Sequence, residues 1–304
     1  MNGIEKMLSS CELCPRNCHV DRVNTHSGFC GSGFKPKVAR IALHHWEEPP
    51  ISGERGSGAV FFSGCNLKCC YCQNYQLSHQ TSGLEISIDE LAERFLFLQA
   101  NGAHNINLVT PSHFVPQIAC AIKIARLMGL NIPVVYNSSS YEKVETLKLL
   151  EGLVDIYLPD LKCVSPEIGR LYYGAPNYFA VAGSAILEMV RQAGPVVLDD
   201  QNIIRSGVMV RHLIIPGQIE DSFRCLEWAR ENLPAGVYLS VMAQYIPFYK
   251  AADHPEINRR ITPEEYQAVV ARMEQLEFED GFIQGLESAS EDFVPEFDLT
   301  GVVK

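Results

Sequence analysis

Cys65-Asn66-Leu67-Lys68-Cys69-Cys70-Tyr71-Cys72 is the stretch from which the rest of the chain is read. An apolar run, Ala59-Val60-Phe61-Phe62, precedes it, and Ser63-Gly64 breaks the two apart. The run has the length and composition of a buried strand, so the cysteines fall in the loop that leaves it. Cys65, Cys69 and Cys72 stand at C-x3-C-x2-C spacing, and a loop this short turns three sulfurs toward one centre. Three thiolates leave one iron of a cubane cluster without a protein ligand, whereas tetrahedral zinc wants a fourth.

Around this loop lies an ordinary globular composition. The chain has 304 residues, 47% hydrophobic and 20% charged. At about 150 residues per domain the length suggests two, although barrel-like α/β folds run larger as one. The formal charge of −11 argues against a non-specific nucleic-acid or acidic-membrane surface, which needs clustered Lys and Arg. It leaves room for a local basic site that takes a small anion. Met1-Asn2-Gly3-Ile4-Glu5-Lys6 lacks the basic-then-apolar order of a signal peptide, and no run approaches the roughly 18 apolar residues of a membrane helix. A cytoplasmic chain with no membrane association is the expectation. In that compartment eleven cysteines read as metal ligands or buried thiols rather than disulfides. Cys120, Cys163 and Cys225 are scattered through apolar or helical settings and read as small buried hydrophobes.

Residues 1–36 form a Cys-rich segment of Pro, Gly, Asn and Ser with little apolar periodicity. Such a segment orders itself only with a staple. Cys11, Cys14, Cys18 and Cys30 supply four thiols, enough to close a metal site, with Gly28 and Gly31 flanking the last ligand. Zinc ribbons pair C-x2-C with C-x2-C, and Cys18 breaks that symmetry. Zinc and a second iron–sulfur cluster both stay open. The adjacent His44 and His45 lie in a Pro-rich loop; they could be ligands, but neighbours in extended chain point to opposite faces, which favours a surface or substrate-facing role over a shared metal.

After a strand-like run at Val38–Leu43 the chain alternates. Strand signals fall at Ala59–Phe62, Asn105–Val109, Ile132–Tyr136, Val154–Leu158, Val208–Ile215 and Val237–Met242. Helix signals follow them. Ser87-Ile88-Asp89-Glu90 is a capping box opening a helix to about Gln99, and Pro116 starts one to Gly129. Others open at Ser140, at Ser165 with an interruption near Gly174-Ala175-Pro176-Asn177 and a resumption over Ser184–Gly194, at Asp221 and at Thr262. Six strand–helix units predict a mostly parallel α/β sheet, short of the common eight-fold barrel: an open, partial (β/α)6 barrel over residues 37–280. Reaction sites in such sheets lie at the carboxyl ends of the strands, where the cysteine loop emerges. Residues 281–304 form an acidic, turn-rich tail, including Gly285-Leu286-Glu287-Ser288-Ala289-Ser290-Glu291, that either covers the barrel or hangs free.

The cysteine loop, with Tyr71 directly before its last cysteine, resembles the C-x3-C-x-aromatic-C signature of radical S-adenosylmethionine (radical SAM) enzymes. Over about Val38 to Leu276 the chain is most similar to the activating enzymes of glycyl radical enzymes, such as pyruvate formate-lyase activating enzyme, and to their uncharacterised relatives. The resemblance implies a 4Fe–4S cluster on Cys65, Cys69 and Cys72. It further implies S-adenosylmethionine chelating the open iron, reductive cleavage to a 5′-deoxyadenosyl radical, and hydrogen-atom abstraction. Tyr71 is then expected on the adenine side, and Cys70, an extra thiol within the motif, is expected to point away. Where the family carries Gly-Gly-Glu after the second strand, this chain has Thr110-Pro111-Ser112-His113-Phe114, which offers Thr110, Ser112 and His113 in place of the carboxylate. Asn137 and Ser138 follow the third strand, and Asp160 and Lys162 resemble the Asp-x-Lys motif beside the methionine moiety. Arg211 matches an Arg that approaches the cofactor carboxylate, and Gln244 and Tyr245 stand where relatives contact adenine or ribose.

The function so implied is radical generation on a protein or peptide partner, a glycyl radical enzyme among them, fed by an electron donor such as flavodoxin or ferredoxin. The alternatives are radical modification of a small molecule or an RNA, the last disfavoured by the acidic balance, and a non-catalytic iron–sulfur or zinc module that senses redox state. No protein acid–base pair is required for hydrogen-atom transfer, in keeping with the lack of a Ser–His–Asp signature or phosphate-binding glycine loop.

Overall fold

The computed structural model describes residues 3–25, 28–290 and 294–303. Met1, Asn2 and Glu291, quoted above with the two terminal segments, lie outside the described residues. The strands among the described residues are β1 (Lys37–His44), β2 (Ser57–Phe62), β3 (Leu84–Glu85), β4 (Ile106–Val109), β5 (Val134–Ser138), β6 (Ile156–Pro159), β7 (Val197–Leu198), β8 (Ile204–Leu213), β9 (Tyr238–Met242) and β10 (Gly281–Ile283). They lie in the order β10-β9-β8-β6-β5-β4-β2-β1-β3, with β7 attached to β8. Every pairing from β2 to β10 along that order is parallel. β1 runs antiparallel to both its neighbours, and β7 to β8. The sheet is the unclosed α/β barrel expected from the six strand–helix units, which correspond to β2, β4, β5, β6, β8 and β9.

A parallel strand covered on both faces reads as a continuous apolar run, and β2 is buried at every position. Alternation assigns the faces. Tyr136 and Tyr157 point into the layer beneath the helices, whereas Val135, Ile156 and Leu158 meet Ile51, Ile204 and Met209 in the barrel interior. The outer layer consists of helices Ile88–Ala100, Val115–Leu127, Tyr178–Ala193, Ile219–Asn232 and Pro263–Gln275. Leu91, Phe95 and Leu98 of the first of these are buried on one face. The capping boxes at Ser87 with Glu90 and at Thr262 with Glu265 are both formed.

Three segments depart from expectation, each for a local reason. The helix expected from Ser140 shrinks to Val144–Leu147 and a 3-10 turn, Lys148–Leu150. Ser140 sits in the left-handed region at φ 61, and Glu142 turns inward to accept a bond from Tyr136 instead of capping. The helix from Ser165 breaks at Gly174, φ 56, as expected, giving Pro166–Tyr173 and Tyr178–Ala193, but it resumes at Tyr178 rather than near Ser184. Gly3–Leu8 is helical where no element was expected, because Ile4 and Leu8 bury themselves beside Cys11 and Leu13.

Both termini pack on the barrel. Gln117 donates to Phe34 O at 2.6 Å, and Thr146 to Leu13 O at 2.7 Å, tying the N-terminal segment to the helix layer. The tail lies along β1, with Leu299 N bonded to Ala39 O at 3.1 Å and Ile41 N to Thr300 O at 2.8 Å. Phe297 packs edge-on against Phe61, and Gly301, at φ 68, passes so close to Ile41 O that a Cβ would collide with it. Among the described residues no helix is long and apolar enough to cross a membrane.

Candidate active site

The parallel strands end around one cavity. Cys65, Cys69 and Cys72 line it, facing Asp160, Lys162 and Arg211. The loop that carries the thiols curls through two left-handed residues, Gly64 at φ 89 and Lys68 at φ 61. Leu67 N donates to Cys65 Sγ at 3.3 Å, Ser78 Oγ to Cys72 Sγ at 3.2 Å, and Asn66 Nδ2 braces the loop on Tyr141 O at 2.7 Å. Burial holds all three thiols up, Cys72 to about 11 and Cys69 well above its ordinary value, and Cys65 adds to the rise of both. Their surroundings therefore disfavour bare thiolates, and a multiply charged metal centre is what converts such a set to ligands. The buried N–H donor on Cys65 and the hydroxyl on Cys72 suit sulfurs that keep negative charge. The donor set fits an iron–sulfur cluster.

Lys162 reaches Asp160 at 2.6 Å from the far side of the cavity. Burial opposes its charge, but the Asp160 carboxylate more than offsets this and raises its pKa. Tyr178 OH fixes this turn by donating to Asp160 O at 2.7 Å while accepting from Lys162 N at 3.1 Å. Tyr71 also lines the cavity, its ring against Tyr245 and its hydroxyl 2.8 Å from that of Tyr173. Thr110, at φ 58, and Asn137 and Ser138 line the cavity between them. Gln244 lines it too, held by Gln284 Nε2 at 3.4 Å. Cys70 is not among the lining residues. Its backbone is pinned instead between Tyr172 O and Lys250 N.

Two expected contacts turn elsewhere. Ser112 and His113 sit in a buried 3-10 turn, Ser112–Phe114, that aims their side chains away from the cavity. Ser112 hydrogen-bonds Glu142, and His113 Nε2 meets Ser63 O at 2.7 Å. Arg211 does line the cavity, yet its Nε is 2.9 Å from Glu48 and its Nη2 2.6 Å from Glu47. One edge of the guanidinium, expected to take a cofactor carboxylate, is already occupied by two protein carboxylates. Burial disfavours the Glu48 charge, but Arg211 overrides this and lowers its pKa. Asn107 donates to Glu47 at 2.7 Å and completes the buried group. The only trace of this arrangement in the sequence is a pair of adjacent acids in a Pro-rich loop.

The N-terminal cysteines form a second grouping. Cys11, Cys14, Cys18 and Cys30 line one small cavity with Arg22 and His113. Arg16 fastens this segment to the cysteine loop, donating to Asn66 O at 2.8 Å and Gly174 O at 2.7 Å. Among the described residues no three His, Cys, Asp or Glu side chains converge so as to hold a single metal ion.

Residues 59–243 match the profile of the Radical SAM superfamily, and the chain belongs to that family. Membership implies a 4Fe–4S cluster and bound S-adenosylmethionine. An uncharacterized protein of Methanocaldococcus jannaschii is 29% identical over 279 residues, 89% of this chain and 76% of its own length. The Streptococcus suis SuiB structure bound to S-adenosylmethionine superposes with a TM-score of 0.51 at 14% identity, over 75% of this chain. The match covers 52% of SuiB, so this chain spans about half the length of that protein, and the likeness is one of fold. A domain of a pyruvate-formate lyase-activating enzyme from Bacteroides vulgatus gives a TM-score of 0.42 at 13% identity, covering 56% of this chain and 91% of that domain. That likeness is too slight to carry an argument.

Proposed function

We propose that Cys65, Cys69 and Cys72 carry the family's cluster and that S-adenosylmethionine binds in the cavity between them and the later strand ends. The observation that supports this most is the shared cavity: three buried thiols open on the same space as a charged Asp160–Lys162 pair. A cluster held by Cys65, Cys69 and Cys72 would supply the one-electron reduction that turns bound S-adenosylmethionine into a hydrogen-atom abstractor.

The chain's own residues bind and orient. Lys162 presents an ammonium to the methionine carboxylate, and Asp160 a carboxylate to its amino group. Tyr71, steadied by Tyr173 and Tyr245, forms an aromatic wall for the adenine. Asn137, Ser138 and Gln244 offer amide and hydroxyl groups to the ribose and adenine edges. Thr110, on its strained turn, lies where the family's carboxylate-bearing turn is replaced. Arg211 keeps a positioning role, anchoring Glu47 and Glu48 at one wall of the cavity. Apolar wall residues such as Phe61, Leu213 and Met242 limit water around the radical.

On this reading residues 37–280 are the catalytic barrel, residues 1–36 a metal-binding extension on Cys11, Cys14, Cys18 and Cys30, and residues 281–304 a tail that closes one side. The hydrogen donor is a protein or peptide partner, with a glycyl radical enzyme as the first candidate and a flavodoxin or ferredoxin as reductant in the cytoplasm. The test is anaerobic reconstitution followed by dithionite and S-adenosylmethionine. The expected product is 5′-deoxyadenosine, and formation no faster than in Cys72→Ala overturns the reading.

A further inference from the structure

The three sulfurs of the cysteine loop are not supported alike. Cys65 takes backbone N–H groups from Lys68 and Leu67, and Cys69 faces the Lys162 ammonium. Cys72 takes the Asn74 N–H and, in addition, a side-chain hydroxyl, Ser78 Oγ at 3.2 Å. The backbone donors come with the curl of the loop whatever side chains it carries. The Ser78 donor depends on the identity of one residue.

Its placement is fixed from two sides. Ser78 ends the short helix Tyr75–Ser78 and is 4% exposed. That helix is tied to the start of the cysteine loop by Gly64 N, which donates to Leu77 O at 2.9 Å. A hydroxyl rotates and carries one proton, so burial alone does not decide where that proton points. His79 Nδ1 lies 2.8 Å from Ser78 Oγ and supplies the second constraint. An anionic sulfur is the stronger pull on the hydroxyl proton, so the oxygen accepts from Nδ1–H of the ring. Burial, then Lys68 and Lys250, lower the His79 pKa, and the ring is a neutral donor. Its outer face packs on Tyr249 with 4.3 Å between ring centroids, and Tyr249 stacks on Tyr75 at 5.3 Å. The aromatic pair holds the imidazole edge against the hydroxyl.

A chain of donors from His79 through Ser78 thus ends on the Cys72 sulfur. Neither Ser78 nor His79 lines the cavity, so contact with S-adenosylmethionine falls to other residues. What the chain can act on is charge at the sulfur. Reduction of a cluster adds negative charge shared by its ligands, and a hydrogen bond aimed at a ligand sulfur favours the more negative state.

We propose that Ser78, oriented by His79, is a positioning residue that raises the reduction potential of a cluster on Cys65, Cys69 and Cys72 by donating to the Cys72 sulfur. It thereby sets how strong a reductant the site needs. The inference rests on the proposed assignment of that cluster, and its test separates the two.

The readout is the midpoint potential of the full chain, reconstituted anaerobically. It is followed by electron paramagnetic resonance on the signal that S-adenosylmethionine perturbs and Cys69→Ala removes. Ser78→Ala deletes the donor with little change in volume. It should make reduction at least tenfold less favourable, a fall of about 59 mV for a one-electron couple. Ser78→Thr keeps the hydroxyl and should stay within about threefold of wild type on the same scale. His79→Phe keeps a ring against Tyr249 but frees the hydroxyl to turn, so its potential should fall by a smaller amount. A Ser78→Ala potential within about threefold of wild type overturns the proposal. So does a Ser78→Thr potential as low as that of Ser78→Ala, because packing would then account for both. Where Ser78→Ala holds no cluster, an unshifted His79→Phe overturns it. Absence of the S-adenosylmethionine-responsive signal in wild type instead overturns the cluster assignment.

Discussion

Two charged groups flank the same cavity and differ in what they have left to offer. Asp160–Lys162 is a single pair at 2.6 Å whose side chains keep some exposure to the cavity. Arg211 is buried and clamped on one edge by Glu47 and Glu48. Their backbones are directly bridged, Asp160 to Arg211. Proximity to the site and matching sequence therefore do not make two cations equivalent. A small ligand meets an available ammonium in Lys162 and a largely committed guanidinium in Arg211. The first group is positioned to bind and the second to support.

Arg211→Met should be the most damaging of the substitutions that probe this difference. It leaves Glu48 buried without its counter-charge, at a cost of about 3–5 kcal/mol in unfolding free energy. Its pH signature follows from the shift. The Glu48 pKa is lowered in the fold, so its contribution is present above the ordinary carboxylate value and is lost as pH falls through the folded value. In the variant the buried acid is raised instead, and stability falls as pH rises past about 4.5. Urea titrations at several pH values read the change of slope. A loss confined to S-adenosylmethionine affinity would place Arg211 with Lys162 instead.

Glu142 tests a buried acid that has no cation. Burial pushes its pKa up to about 7, against bonds from Ser112, Ser138 and Tyr136 that act the other way. The folded value lies above the unfolded one, so stability declines as pH rises from about 4.5 to about 7 and is level above. Glu142→Gln should remove that decline and gain up to about 3 kcal/mol at pH 8, by the linkage between pKa and stability. An unchanged pH profile would mean that the carboxyl is solvated.

Lys162→Met should act on binding rather than folding. Loss of a charge-assisted contact worth about 1.5–3 kcal/mol weakens S-adenosylmethionine binding roughly 10–100-fold, measured by equilibrium dialysis of the oxidised protein. Gln244→Ala, which removes one neutral contact, should weaken it by less than about tenfold. The reverse order would locate the methionine end of the cofactor on the opposite wall.

Much of this architecture was legible in the chain. The six parallel strands, the capping boxes at Ser87 and Thr262, and the gathering of Cys65, Thr110, Asn137, Asp160 and Gln244 around one cavity follow from local pattern, because strand ends in a parallel barrel share one rim. What was hidden depends on pairing at a distance. Glu48 and Arg211 are 163 positions apart, and nothing local to either announces the other. Ser112 and His113 sit at the right place in sequence, but one 3-10 turn rotates them out of the cavity. The helix at Gly3–Leu8 leaves no mark in the sequence pattern because it takes its stability from the apolar contacts of Ile4 and Leu8 rather than from periodicity. The course of the tail along β1 depends on backbone bonds that carry no side-chain signature.

The central claim is that the Cys65–Cys72 loop holds a cluster whose open iron meets the methionine end of S-adenosylmethionine. Electron-nuclear double resonance of the reduced protein with S-adenosylmethionine labelled at the amino nitrogen and carboxylate oxygen tests it directly. Strong hyperfine couplings to both labels, lost in Cys69→Ala, are predicted. A reduced cluster that shows no coupling to either label, with the cofactor bound, would contradict it.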